Sequence, residues 1–308
     1  MTNRTILDTA TARLNAATYS PKRLIFLHAG IAALATFLGS LATYLMTNSM
    51  DNAVGLAGLG TRTTLSFFRA LLLLLTTVAM PFWELGYTRA AVLYAKGDTP
   101  KPRDLLCGFR RFLPALRMML LQALAILAVL FLTVQLATTL FMLSPFGLIF
   151  MQQAETILTP DMMMREAMMT EELMSQLLPH LTPVYVLWAV LALAVLLFLF
   201  YRFRFAEYAL MDDTQGALAA FRLSAARTRG RRLQLFKLDL RLWWYYVLGA
   251  CAVAISYLDV ILPRFGVAVN EDVAFWVFFL LGQLSSLALH IFFTPKVRTA
   301  YAQFLIAN

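Results

Sequence analysis

Charge is scarce in this sequence. Asp, Glu, Lys and Arg make up 14% of its 308 residues and apolar residues 60%, whereas a soluble domain carries about 25% charged and ~45–50% apolar residues. An ordinary water-soluble domain is thereby excluded. Cysteine is nearly absent too: Cys107 and Cys251 are the only two, and they match no metal or redox spacing. The chain has no P-loop, no Gly-rich phosphate cradle, no His-Glu-x-x-His and no Gly-x-Ser-x-Gly. ATPase and familiar hydrolase chemistry lack their usual residues, so the sequence predicts a protein that is not an enzyme and needs no cofactor. A cleaved signal peptide is not expected either. Arg4, Asp8, Arg13, Lys22 and Arg23 precede an apolar run from Leu24 to Met46, which is too long for a signal core.

Six apolar runs are present: Leu24–Met46, Leu65–Trp83, Met118–Leu143, Pro183–Tyr201, Leu242–Leu262 and Val273–Thr294. Runs of about 20 such residues are long enough to cross a bilayer. The cations sort with the segments between them. Of 26 Lys and Arg residues, four lie in the tail 1–23, seven in the loop 84–117, nine in the loop 202–241, and Lys296 and Arg298 in the C-terminal tail. Only Arg62, Arg69, Arg165 and Arg264 fall on the other side. Lys and Arg are retained in the cytoplasm, so this split predicts a single all-α membrane domain over 1–308 with six spans and both termini cytoplasmic. The location expected is the plasma membrane.

Residues 118–154 contain no charge. As one helix they would measure roughly 55 Å, too long for one span of a ~30 Å core and slightly short for two plus a turn. One span broken near Ser144-Pro145-Phe146-Gly147 is expected, followed by an exterior segment, 144–182, that is acidic and rich in Met.

The basic segments carry amphipathic patterns. In the tail, Ile6, Leu7, Ala10, Leu14 and Ala17 share a helical face. In the loop 84–117, Leu105, Phe109, Phe112 and Leu116 do so beside Arg103, Arg110 and Arg111. Such faces predict interfacial helices, with apolar residues among acyl chains and arginines at phosphate level. The two long loops also resemble each other. Each runs from Asp-Thr (98–99; 213–214) to Phe-Arg (109–110; 221–222) and then to more Arg, as diverged copies of one hairpin would.

The stretch Ala219–Trp244 carries Ser224, Gly230, Leu235, Phe236, Leu238, Asp239, Leu240 and Trp244 in order. It resembles the most recognisable segment of a bacterial integral-membrane family, domain of unknown function number nine hundred and seventy-five. Pro81 to Gly86 and Asp104-Leu105 to Gly108-Phe109 are similar to that family as well. Arg241 and Leu242 depart from its pattern, which has Ser and Phe there. The resemblance implies a multi-pass membrane protein and no particular activity.

Several constellations could carry chemistry. His28, Glu84 and His290 all fall near the cytoplasmic ends of spans, where two imidazoles and a carboxylate could bind a transition metal or relay a proton. Lying only ~6 Å inside, they could equally reach water or headgroups at little cost. The latter reading predicts no metal. Arg69 and Asp259 fall near the opposite face, and pairing would lower the membrane cost of both. Met162, Met163, Met164, Met168, Met169 and Met174 could capture Cu(I) but more simply fill an apolar face. Arg110, Arg111, Arg222, Arg227, Arg229, Arg231 and Arg232 form a basic surface suited to anionic lipid headgroups or an acidic protein partner. Because these cations flank apolar spans, nucleic acid is not the expected partner. Polar residues deep in the spans are few (Gln122, Gln135, Gln283). The functional expectation is a non-catalytic scaffold, assembly or lipid-interacting protein, with a transporter or permease for a hydrophobic or lipid-like substrate as the alternative.

Overall fold

The computed structural model describes residues 2–52, 56–145, 147–148, 151, 171–212, 216–266 and 271–307. Among these the fold is all-α, without a strand. Five stretches are each long and apolar enough to cross a membrane: Pro21–Leu45, Ser66–Lys96, Phe112–Met142, Thr182–Asp212 and Phe275–Ile306. A bent pair, Arg232–Arg241 with Trp243–Ser256, passes the same test only when its two helices are counted together, as a sixth. Two compact units make up the fold, 1–116 with 203–308, and 117–202.

The first unit begins with α1 (Asn3–Ala16), capped where the Thr2 hydroxyl accepts from the Thr5 amide. Helix α2 (Pro21–Asn52) follows, then α3 (Leu56–Leu74), which passes through a π-helical turn at Leu75–Ala79 into α4 (Met80–Lys96). Pro81 accounts for the turn. A proline lacks the amide that would bond the carbonyl of Thr77 and its ring clashes there, so the ladder widens by one residue. A 3₁₀ turn (Pro102–Leu106) and a single helical turn α5 (Cys107–Arg110) lead into α6 (Phe112–Met142). The chain re-enters this unit from α7 (Glu171–Phe203) and continues as α8 (Ala206–Asp212), α9 (Ala217–Thr228), α10 (Arg232–Arg241), α11 (Trp243–Ser256), α12 (Leu258–Arg264) and α13 (Glu271–Ile306). Its core gathers Leu24, Ile25, Trp83, Tyr87, Ala90, Tyr94 and Leu105.

Most of α6, and α7, form the second unit. Their outward side chains are apolar, including Leu124, Leu127, Phe131 and Leu132 on α6 and Val190 and Leu193 on α7. That surface suits acyl chains and not water. The expected break is present. Helix α6 ends at Met142, and the Ser144 amide and hydroxyl both donate to the Phe141 carbonyl.

Several boundaries differ from the sequence reading. The second, fourth and sixth spans run on to Lys96, Asp212 and Ile306, so much of what reads as basic loop is helix. Helix α7 starts at Glu171, within the segment read as exterior loop. Phe146, Met162, Met163, Met164, Met168 and Met169, together with the Asp213-Thr214 copy of the loop repeat, lie outside the described residues; so does the side chain of Met174.

The tail face expected at the bilayer surface is covered by protein instead, whereas of the first-loop face Leu105 is buried, Leu116 is half-buried, and Phe109 and Phe112 stay exposed. In α1, Ile6 and Ala10 are fully buried, and the helix lies against α4 and α13. Asn3 donates to the Gln234 carbonyl and Arg13 to the Lys96 carbonyl. Residues 105–116 do not form one helix, because the chain turns at Arg111. Interlocked glycines explain the break. A Cβ on Gly86 would sit 1.7 Å from the Leu105 carbonyl oxygen, and one on Gly108 would sit 1.9 Å from that of Phe82. The loop is therefore pressed backbone-to-backbone onto α4, and Leu105 is buried there.

Candidate functional site

The second basic segment keeps an exposed amphipathic face on a regular helix. Helix α10 turns Leu235 and Leu238 into the protein and leaves Leu233, Phe236 and Leu240 exposed, with Lys237 and Arg241 beside them. Trp243, also exposed, continues the apolar line, and α10 meets α11 at 54°. A helix that lies in an interface before turning into a span has this shape. Arg222 and Arg229 are exposed as well.

Residues of the family-like segment are explained by packing. Ser224 is buried and its hydroxyl accepts from the Phe205 amide at 3.2 Å. Gly230 adopts φ 75°, the left-handed region that favours glycine. Trp244 packs edge-on against Phe293. Asp239, on the inward side of α10, is held by Arg204 and by the Tyr301 hydroxyl at 2.7 Å. Arg204 also donates to Tyr246 at 2.9 Å and lies 4.2 Å from the centroid of the Tyr301 ring. Tyr246 and Tyr301 share a 2.7 Å hydrogen bond.

Two of the predicted lipid-facing cations turn inward. Arg111 donates to the Leu210 carbonyl at 2.6 Å, and Arg89 joins it with bonds of 2.7 Å to the carbonyls of Met211 and Asp212. Together they satisfy the last carbonyls of α8, where cations are also favoured by the helix dipole. Arg231 stacks 4.5 Å from the Phe304 ring centroid and bonds Gln234. Its own burial, and then Arg227, push its guanidinium down from the ordinary arginine value. Arg227 and Arg232 are half-buried, and Arg110 is exposed.

A second constellation lies inside the same unit. His28 of α2 and Glu84 of α4 come together, with the His28 Nε2 3.8 Å from one carboxylate oxygen. The other oxygen accepts from Arg298 of α13 at 3.2 Å. His290 is an electrostatic neighbour of Glu84, and its Nδ1 is 3.0 Å from the Thr294 hydroxyl. Thr294 in turn meets the Tyr245 hydroxyl at 2.9 Å. From α8, Tyr208 and Glu207 lie within electrostatic reach of Arg298, and Glu207 within that of Glu84. His28 stacks parallel to Trp83 at 5.4 Å, and Trp83 donates to the His28 carbonyl at 3.0 Å. Among the described residues no three His, Cys, Asp or Glu side chains are grouped to hold a metal ion. An arginine occupies the position beside Glu84 that a cation would need.

Sequence reasoning thus found His28, Glu84 and His290 but missed Arg298, Glu207 and Tyr208. Arg298 had a signal: with His290 and Thr294 it repeats every fourth residue, one stripe of a helix. The other predicted pair is not brought together. Arg69 is exposed on α3, Asp259 is half-buried on α12 with its Oδ1 unbonded, and no ion pair joins them among the described residues.

No family model, curated protein or solved structure matches this chain.

Proposed function

We propose that this is a multi-pass membrane protein that acts without chemistry of its own, as a lipid-interacting scaffold. Its cytoplasmic surface engages anionic headgroups. The orientation, with both termini inside, follows from the distribution of Lys and Arg, 22 of 26 on one side. The observation that carries the reading is the outward face of α10, where Leu233, Phe236 and Leu240 alternate with Lys237 and Arg241. Apolar side chains at acyl depth beside cations at phosphate depth match an anionic bilayer surface. Membership of the family that the segment Ala219–Trp244 resembles agrees with this reading and adds no activity.

Trp243 supplies the assay. In proteoliposomes, brominated phosphatidylglycerol is expected to quench it more than brominated phosphatidylcholine, measured as the difference from Trp243→Phe. Lys237→Glu with Arg241→Glu is expected to abolish that preference. Equal quenching by the two lipids in the unaltered protein would remove the anionic-lipid role. An acidic protein partner would instead be retained by the same cations in detergent without lipid.

A second reading, a permease for a hydrophobic or lipid-like substrate, is favoured by one observation. The Glu84 side chain is 45% exposed although ringed by groups from α2, α8, α11 and α13. Uptake of labelled lipid across a proteoliposome bilayer would select it.

A further inference from the structure

We infer that the polar cluster around Glu84 is a proton-binding site, with His28 the group that takes up the proton and Glu84 its counter-ion. The inference is independent of lipid docking by α10. It rests on what meets at Glu84, whose carboxylate faces the Arg298 guanidinium on one side and the His28 imidazole on the other.

Geometry selects the acceptor. His28 has only 5% of its side chain exposed, and its Nε2 is buried without a hydrogen-bond partner. That nitrogen lies 3.8 Å from Glu84, too far for a hydrogen bond and near enough for a strong ion pair. An imidazolium needs only a small rotation to close the gap into a charge-assisted bond. His290 is less suited, because its Nδ1 already engages Thr294. The groups facing Glu84 and His28 from the surrounding helices are Tyr87 on α4, Glu207 and Tyr208 on α8, Tyr245 on α11, and His290 and Arg298 on α13. None of these tyrosines carries charge at neutral pH. The electrostatic balance therefore lies among two carboxylates, one guanidinium and two imidazoles.

Access follows from exposure. The residues flanking Glu84 in α4, Trp83, Leu85, Gly86 and Tyr87, are all buried, while the carboxylate itself is 45% exposed. Through that exposed carboxylate a proton from water reaches the imidazole. No other bond is made or broken in that step. Histidine suits the role because its charge changes between about pH 5 and 8.

Three histidines, His28, His180 and His290, make the test direct. The full chain with isotope-labelled histidine, in nanodiscs, would be titrated by NMR from pH 4.5 to 9, with single His→Gln variants giving the assignments. The His28 resonance is expected to titrate within that range. Glu84→Gln is expected to weaken its proton affinity about tenfold or more, as removal of an opposite charge within 4–6 Å does. Trp83 gives an independent reading in the unaltered protein. Protonation of the imidazole stacked on it should quench its fluorescence with the same midpoint, and His28→Gln should abolish the quenching. A His28 signal that is flat from pH 4.5 to 9 would overturn the proposal. So would an affinity unchanged in a Glu84→Gln protein that retains the parent thermal transition; the cluster would then be a fixed clamp between helices. Should Glu84→Gln fail to fold, the Trp83 titration alone decides.

Discussion

The Asp239 network offers the sharpest test of how α10 is held. Asp239 and Arg204 have 14% and 11% of their side chains exposed, so this is a nearly buried ion pair. Asp239→Asn preserves shape, and its amide oxygen can still accept from Tyr301. It leaves the Arg204 guanidinium buried without its carboxylate, beside the Tyr246 hydroxyl and the Tyr301 ring. Breaking a buried pair from one side costs about 3–5 kcal/mol, because the orphaned charge stays desolvated. The two hydroxyls soften that penalty, so about 3 kcal/mol is expected. Arg204→Met should cost a similar amount by stranding the carboxylate. The double replacement Arg204→Met with Asp239→Leu removes both charges and should cost less than either single change, giving a coupling of at least about 2 kcal/mol. Reversible denaturation in mixed micelles would measure the cycle, and tryptic cleavage at Arg229 would report whether α10 has come away. If the two single costs simply add in the double variant, the pair is not what docks α10. Leu235 and Leu238 would then hold it by burial alone.

Other consequences are equally specific. Gly86→Ala must displace the Leu105 backbone and should cost about 1–3 kcal/mol as overpacking; thermal unfolding and faster alkylation of the half-buried Cys107 would register it. Arg89→Met and Arg111→Met each uncap carbonyls of α8 and should each cost about 1.5–3 kcal/mol, the worth of a hydrogen bond to a charged group. Amide exchange across residues 208–212 should accelerate in both variants. Ser224→Ala leaves the buried Phe205 amide without its acceptor and should cost about 1–3 kcal/mol, read as loss of exchange protection at that amide.

Much of the architecture was legible in the sequence, because apolar run length is a direct demand of the bilayer. Helix ends were not, and the reason is common to two of them. The reading stopped the second and sixth spans at the first charged or polar residues, near Glu84 and Thr294. The helices continue because those polar groups find partners on other helices, as Glu84 does in Arg298 and Lys96 does in Asp212. Hydropathy counts the cost of a charge and cannot see its partner. Periodicity likewise identified an apolar face on α1 and left open what covers it, which proved to be protein. Over 105–116 the spacing was helical, yet close approach of Gly108 to Phe82 overrode it. Of the candidate site, His28, Glu84 and His290 were recoverable from depth alone. Glu207 and Arg298 were not, since the first had been placed in a loop and the second in the C-terminal tail.

The two polar networks are mechanically related through α13. Arg298, which grips Glu84, and Tyr301, which grips Asp239, are three residues apart on that helix, a rise of ~4.5 Å. A displacement of the helix at one is therefore transmitted to the other. Pro295 lies just before them, buried, between the Thr294 contact and Arg298. It withholds an amide from the Ile291 carbonyl, which makes this the weakest point of the ladder. The stretch after Pro295 carries both contacts, Arg298 to Glu84 and Tyr301 to Asp239, so the packing of α4 and of α10 against α13 depends on one short length of helix.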